Sequence, residues 1–262
     1  MSDPKIRFEE ATEKLYAAFA GYPLPEDTGM CTHCHKPEDE LKLRSKPLRE
    51  LSEEDLEDYG FSALTTWGNE DVFKYFLPRM FEITCQIPTS YLPNQEIIFR
   101  KLNYAEWRDW PIDEKTAVED FFMAAWEYLL ACDESFGWDD LLCSIGQAVD
   151  DLTPYLKAWE ESGLTGLWHL SEYIADEYLD VAQKHKLSDS FWQDKSYEGD
   201  PWCNDRTAQM NQVIEWLEKP STCELLENAY LENPNHPLAA SIAEGADYLR
   251  WIETYRKNTT CE

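Results

Sequence analysis

The sequence predicts an all-α protein, an irregular bundle of roughly ten helices with no regular repeat. Along most of the chain, apolar residues recur three and four positions apart, which is the spacing of one helix face. No alternation of apolar and polar residues lasts longer than about five positions, and the chain lacks the Asn-Gly and Asp-Gly pairs that mark tight hairpins. No repeat of fixed period is found, so a regular solenoid is not indicated.

The clearest helix is predicted at 113–132. Asp113 and Glu114 stand at its start, where the helix dipole favours negative charge. Its apolar face repeats at helical spacing over four turns and comprises Val118, Phe121, Phe122, Ala125, Trp126, Leu129 and Leu130.

The other helices follow from the same spacing and from their end signals. Ser52 and Asp55 resemble a capping box at the start of a helix that Gly68 ends. Asn69 caps the next helix, which Pro78 should kink or restart. The remaining helices are predicted at 7–20, 95–103, 138–149, 153–162, 165–185, 204–218, 221–231 and 237–256.

We expect a single domain over residues 1–262, with a possible weak boundary at the polar, irregular segment 186–204. No stretch approaches the run of about 20 apolar residues that a membrane span needs, and the first residues do not resemble a secretion signal. Several of the eight cysteines fall on apolar helix faces, where a free thiol packs as a small hydrophobe. These observations predict reduced cysteines and a cytoplasmic protein.

The charge is strongly negative. The chain carries 52 Asp and Glu against 23 Lys and Arg, a net charge of −29, yet it also contains 11 Trp, 14 Tyr and 11 Phe. Such an aromatic-rich chain folds, so its acids coat a packed body rather than a disordered tail. Segment 105–200 holds 23 acids and six bases, whereas 41–50 is basic. This field disfavours direct contact with nucleic acid or an anionic membrane and favours a basic protein partner.

The sharpest local motif is the segment Cys31-Thr-His33-Cys34-His35. Two thiolates two residues apart can bind one metal ion, and the two imidazoles add possible ligands, so zinc is the one cofactor that the sequence suggests. A structural zinc site needs four ligands, and no second Cys pair lies at the usual distance. The alternative is a turn whose thiols pack under the first helix.

Residues 46–51 read KPLREL, residues 63–68 read ALTTWG and residues 76–79 read FLPR. Together with Tyr16, Tyr22-Pro23 and Cys31/Cys34, these motifs resemble a family of uncharacterised bacterial proteins over about residues 12–85. The resemblance implies a bacterial, cytosolic, helical protein and implies no activity.

The sequence contains no motif that identifies a reaction. It has no Walker A loop, no dinucleotide-binding glycine pattern, no Gly-x-Ser-x-Gly and no His-Glu-x-x-His. The sequence therefore favours a binding protein over an enzyme, most simply an immunity protein that neutralises a basic toxin domain. The alternatives are a DNA mimic that inhibits a DNA-binding protein, a zinc-binding protein or enzyme that uses the Cys31/Cys34 turn, and acids that only keep the chain soluble. The predicted contact residues are Trp138, Asp139, Asp140, Asp150, Asp151, Trp159, Glu160 and Glu161.

Overall fold

The structure is a computed structural model that describes residues 3–86, 95–132, 138–193 and 205–259. Within these ranges the chain forms twelve α-helices and three short 3₁₀ helices, and its only β-type pairings are isolated bridges. The all-α prediction is confirmed. In the described ranges, no helix is long and apolar enough to cross a membrane.

The residues group into two compact units, 1–125 and 126–262, called here the N-terminal and C-terminal units. The boundary falls within the sixth helix, whereas the weak boundary predicted at 186–204 includes residues 194–204, which lie outside the described ranges. The single-domain organisation stays a prediction.

The N-terminal unit contains helices α1 to α5 and the first part of α6. Its core is built from phenylalanines of three helices: Phe81 stacks on Phe122, with ring centroids 5.7 Å apart, and Phe99 lies 4.6 Å from Phe122. The helix bounds are α1 Pro4–Ala18, α2 Pro37–Arg44, α3 Glu53–Ser62, α4 Glu70–Gln86, α5 Gln95–Tyr104 and α6 Ile112–Ala131.

Two predicted helix boundaries in this unit need correction. Helix α4 runs through Pro78 without restarting, and α3 ends at Ser62 rather than at Gly68. Gly68 has a φ of 80° and lies in a tight turn against Gly29, whose carbonyl accepts from the Gly68 N–H at 3.4 Å. The glycine is therefore needed for the turn and the close approach of two backbones, not for ending the helix.

A buried ion pair also lies in this unit. The Lys74 Nζ is 2.8 Å from a carboxylate oxygen of Glu114 and 2.8 Å from one of Glu70. Lys74 and Glu114 are both buried, and the hydroxyl of Tyr22 donates to Glu114 at 2.6 Å. These carboxylates raise the pKa of Lys74 against the opposing effect of its burial. Lys74 is thus held as a cation inside the unit.

The C-terminal unit contains the end of α6 and helices α7 to α12. Trp126 meets Trp159 edge to face at 5.1 Å, and Trp159 stacks on Trp216 at 5.6 Å, so tryptophans from α6, α8 and α10 form the centre of the core. The helix bounds are α7 Trp138–Ala148, α8 Thr153–Glu160, α9 Leu164–Lys184, α10 Thr207–Leu217, α11 Pro220–Glu232 and α12 Ala239–Thr259.

Helices α9 and α12 pack very closely. A Cβ atom added at Gly245 would lie 2.9 Å from the Cα of Ser171, so only a glycine permits this separation of the two backbones. The Ser171 hydroxyl donates to the carbonyl of Ile242 at 3.3 Å across the same contact. The close packing fixes the rotation of α12 against α9 and decides which side chains face outward together.

Candidate functional site

The Cys31–Cys34 segment forms a tight turn in the N-terminal unit. The backbone N–H groups of Cys34 and His35 both donate to the Cys31 carbonyl at 3.0 Å. The Cys31 N–H donates to the Thr66 carbonyl at 2.9 Å. Hydrogen bonding with His33 and Cys34 lowers the pKa of the Cys31 thiol. The Cys34 thiol is hydrogen-bonded to Cys31, and this bond raises the pKa of Cys34. The pair therefore offers one readily ionised thiol and one proton donor.

His35, one of the two histidines of this motif, has other described partners. The His35 Nε2 lies 3.0 Å from the Thr66 hydroxyl, and its ring packs 5.0 Å from that of Trp67. Among the described residues, no group of three His, Cys, Asp or Glu ligand atoms within 4.8 Å of one another includes Cys31 or Cys34. The described residues thus supply two thiols and not the four-ligand set of a structural zinc site.

Four of the predicted contact acids lie around α8, each with a local partner. Asp150 pairs with Arg206 at 3.2 Å and Glu161 with Lys157 at 3.5 Å. Asp151 accepts the backbone N–H of Thr153 at the start of α8, and this hydrogen bonding lowers the Asp151 pKa. Glu160 accepts from the indole of Trp216 at 2.6 Å. Asp150, Asp151 and Glu160 therefore also support the local structure.

The tryptophan predictions need a correction. Trp159 is 0% exposed, and its indole N–H donates to the Gly166 carbonyl at 2.8 Å. Because a fully buried ring cannot reach a partner, the prediction of Trp159 as a contact residue is wrong. Helix α7 begins at Trp138, but the side chains of Trp138, Asp139 and Asp140 lie outside the described part of the structure.

The acid excess is largest in the C-terminal unit. Residues 126–262 contain 27 acids and nine bases, a net charge of −18. Six of those bases already form ion pairs within the unit, namely Lys157, Lys184, Arg206, Arg250, Arg256 and Lys257. Exposed acids such as Glu215, Glu224, Glu232 and Glu244 have no ion pair among the described residues. Local pairing therefore leaves most of the negative charge of this unit in place.

A surface row of aromatic rings, here called the aromatic row, was not predicted from the sequence. It consists of Tyr178 on α9 and Tyr248, Trp251 and Tyr255 on α12. Tyr178 stacks on Tyr248 at 4.5 Å and meets Trp251 edge to face at 5.2 Å. Trp251 then stacks on Tyr255 at 5.2 Å. Trp251 is 39% exposed and neighbouring Leu179 is 43% exposed, so the row faces outward.

The aromatic row follows directly from the α9–α12 contact. Tyr178 lies seven residues after Ser171 and Tyr248 three residues after Gly245, so the close approach at those two residues brings the two rings together one to two turns further on. The spacing of Tyr248, Trp251 and Tyr255 is a readable sequence signal, since three aromatics three and four apart share one face. The sequence alone does not say whether that face is covered.

No protein-family model matches the chain, and neither a curated protein nor a solved structure does.

Proposed function

We propose that this protein is an acidic cytoplasmic binding protein of bacteria that inhibits a basic partner, and that it acts as an immunity protein against a basic toxin domain. The observation that carries the proposal is the charge of the C-terminal unit, where 27 acids against nine bases leave a net charge of −18. Toxin domains that act on nucleic acid carry positive charge because they must hold phosphates. An inhibitor of opposite sign gains affinity and speed from that charge.

Charge of this size acts before contact. Electrostatic steering raises association rate constants towards about 10⁸–10⁹ M⁻¹s⁻¹ at low salt, compared with about 10⁵–10⁶ M⁻¹s⁻¹ for neutral pairs. Fast capture suits an inhibitor, because an active toxin must be bound before it reaches its target. It also predicts that binding weakens steeply as salt rises, since the Debye length shortens to about 8 Å at physiological ionic strength.

The test is co-expression with the reading frame directly upstream of the gene. We expect that product to be basic and to arrest growth when expressed alone, and we expect this protein to restore growth. An upstream product that is neutral or acidic, or an arrest that this protein leaves unchanged, would contradict the proposal. A captured partner that binds DNA without being toxic would instead favour the DNA-mimic alternative.

A charge variant separates inhibition by an acidic surface from simple solubility. Glu215, Glu224 and Glu232 are exposed and form no ion pair in the described ranges. The triple change of these residues to Gln raises the net charge from −29 to −26 without removing a described structural contact. We expect stopped-flow association with the partner to slow several-fold and to lose part of its salt dependence. If the acids only maintain solubility, the rate will not change.

The zinc alternative has one supporting observation, the paired thiols of Cys31 and Cys34 in one tight turn, where hydrogen bonding lowers the pKa of Cys31. N–H···S hydrogen bonds stabilise a thiolate, and a thiolate is the form that binds metal. Elemental analysis of the purified protein tests it. Close to one equivalent of zinc, lost in the variant Cys31→Ser, would support the alternative, and less than about a tenth of an equivalent would remove it.

A further inference from the structure

We propose that the aromatic row, Tyr178, Tyr248, Trp251 and Tyr255, is a docking surface for an arginine-bearing segment of a basic protein partner. This inference rests on the proposed function and names the surface and the chemical group through which the partner is held.

The row has the properties of an interface anchor. Tyrosine and tryptophan are enriched among residues that dominate binding energy, because they bury a large area and lose few rotamers. Here the rings also fix one another, since Trp251 is held between Tyr178 and Tyr255 at 5.2 Å on each side. A ring that is already ordered in the free protein costs little entropy to immobilise on binding.

The acids beside the row select a cation. Glu244 precedes Tyr248 by four residues and Asp247 precedes Trp251 by four, so each carboxylate shares a helix face with a ring. Both acids are exposed. Asp247 already pairs with Arg250 at 2.6 Å, whereas Glu244 forms no ion pair in the described part of the chain and is the carboxylate left for a partner. Two basic residues adjoin the row in sequence. Arg250 is turned to Asp247 and Glu227, and Arg256 is turned to Glu218 and to the carbonyl of Val181.

These neighbours favour arginine over lysine. A guanidinium stacks flat on an aromatic ring and donates two parallel hydrogen bonds to one carboxylate, whereas an ammonium is a strongly hydrated point charge. An exposed ring such as Trp251 and the unpaired carboxylate of Glu244 on the same helix would therefore offer arginine two kinds of contact at once.

Charge decides between a basic partner and a second copy of this chain. Self-association through the row would bring together two C-terminal units of net charge −18 each. Like charges across an interface disfavour association. A basic segment gains from the same field, so the heterologous partner is the favoured occupant.

The experiment uses the whole protein and a synthetic peptide of alternating arginine and serine residues, with calorimetric titration at low and at physiological salt. The control ligand is the same peptide with every arginine replaced by lysine. We expect the arginine peptide to bind several-fold more tightly than the lysine peptide. We expect Trp251→Ala to weaken arginine-peptide binding about tenfold and to remove most of that preference. Trp251→Phe, which keeps a ring, should retain most of the binding.

Ile112→Ala, at an exposed apolar residue of the N-terminal unit, is the control and should bind like the parent. Equal affinity for the two peptides, unchanged by Trp251→Ala, would overturn the docking surface while leaving the acidic binding function standing. No binding of either peptide at low salt would count against the proposed function itself. A dimer in sedimentation runs that Trp251→Ala abolishes would also overturn the inference, because the occupant would then be a second copy.

Discussion

Removing Lys74 should destabilise the N-terminal unit strongly. In the variant Lys74→Met, the apolar part of the side chain is kept and the cation is lost. Glu114 then keeps only the hydroxyl of Tyr22 as a described donor, at 2.6 Å, and stays buried. Breaking a buried pair by removing one partner costs about 3–5 kcal/mol, because the other charge is left without compensation.

Two further variants give smaller losses of the free energy of unfolding for comparison. Glu114→Gln removes the buried charge with little change of shape and leaves Lys74 its partner Glu70, so we expect a smaller loss of about 1–3 kcal/mol. Lys157→Met breaks the exposed pair with Glu161, whose side chains are both 67% exposed, and should cost less than about 0.5 kcal/mol. The predicted order of destabilisation is therefore Lys74→Met, then Glu114→Gln, then Lys157→Met.

Hydrogen exchange is read on peptides from α4 and α6 for the Lys74 and Glu114 variants and on peptides from α8 for Lys157→Met, and urea unfolding in parallel compares all three in the intact chain. For Lys74→Met, amides that exchange only by opening of the whole unit should exchange at least about 100-fold faster. Because folding raises the pKa of Lys74, its charge contributes fully to the free energy of unfolding below the unfolded pKa near 10.5, and this contribution is lost as the pH rises through the folded value. At pH 7 the full contribution is therefore present. A loss below about 1 kcal/mol at pH 7 would refute the reasoning.

Two more predictions concern the N-terminal unit. Gly68→Ala should lower the free energy of unfolding by about 1–3 kcal/mol in urea titrations, because φ is 80° and the added Cβ would meet the Val72 Cβ at 3.0 Å; an unchanged midpoint would contradict this. Burial lowers the pKa of Lys101 to about 8, with Arg100 adding to the shift. Because the unfolded chain then binds more protons, stability should rise between about pH 8 and 10.5, by up to about 3 kcal/mol, and Lys101→Met should abolish that rise.

Helix positions were largely predictable because their signals are local. Ser52 and Asp55 form the predicted capping box, with the Asp55 carboxylate 2.8 Å from the Ser52 N–H. Helix α2 was missed because its sequence, PEDELKLR, buries Leu43 alone and therefore shows no apolar periodicity.

Pro78 shows how packing overrides a local rule. A proline inside a helix costs about 3 kcal/mol because it lacks an N–H and crowds the preceding turn. Helix α4 continues through it, with Leu77 and Met80 on either side fully buried. Burying such side chains contributes about 1.5–3 kcal/mol each, which is enough to offset the loss. That balance depends on the neighbouring helices and is not visible in the segment itself.

The candidate site could not be predicted because it depends on which helix face stays uncovered. Trp159 and Trp251 both occupy amphipathic helices, and the sequence gives each the same apolar spacing. Trp159 is enclosed by Trp126 and Trp216, whereas Trp251 lies on the side of α12 that no described neighbour covers completely. The residue that decides the exposed side is Gly245, which is neither aromatic nor charged. Its role appears only once α9 lies against it.

Net charge and the aromatic row should govern different steps of binding. A charge of −18 spread over the C-terminal unit acts at distances near the Debye length and has little dependence on orientation, so it sets the rate of encounter. Contacts with Trp251 form only after docking and so set the rate of dissociation. Removing exposed acids should therefore slow association and flatten its salt dependence, whereas Trp251→Ala should speed dissociation. A protein that relied on charge alone would bind every basic chain alike, so under the proposed function we expect the row to supply the discrimination among basic partners.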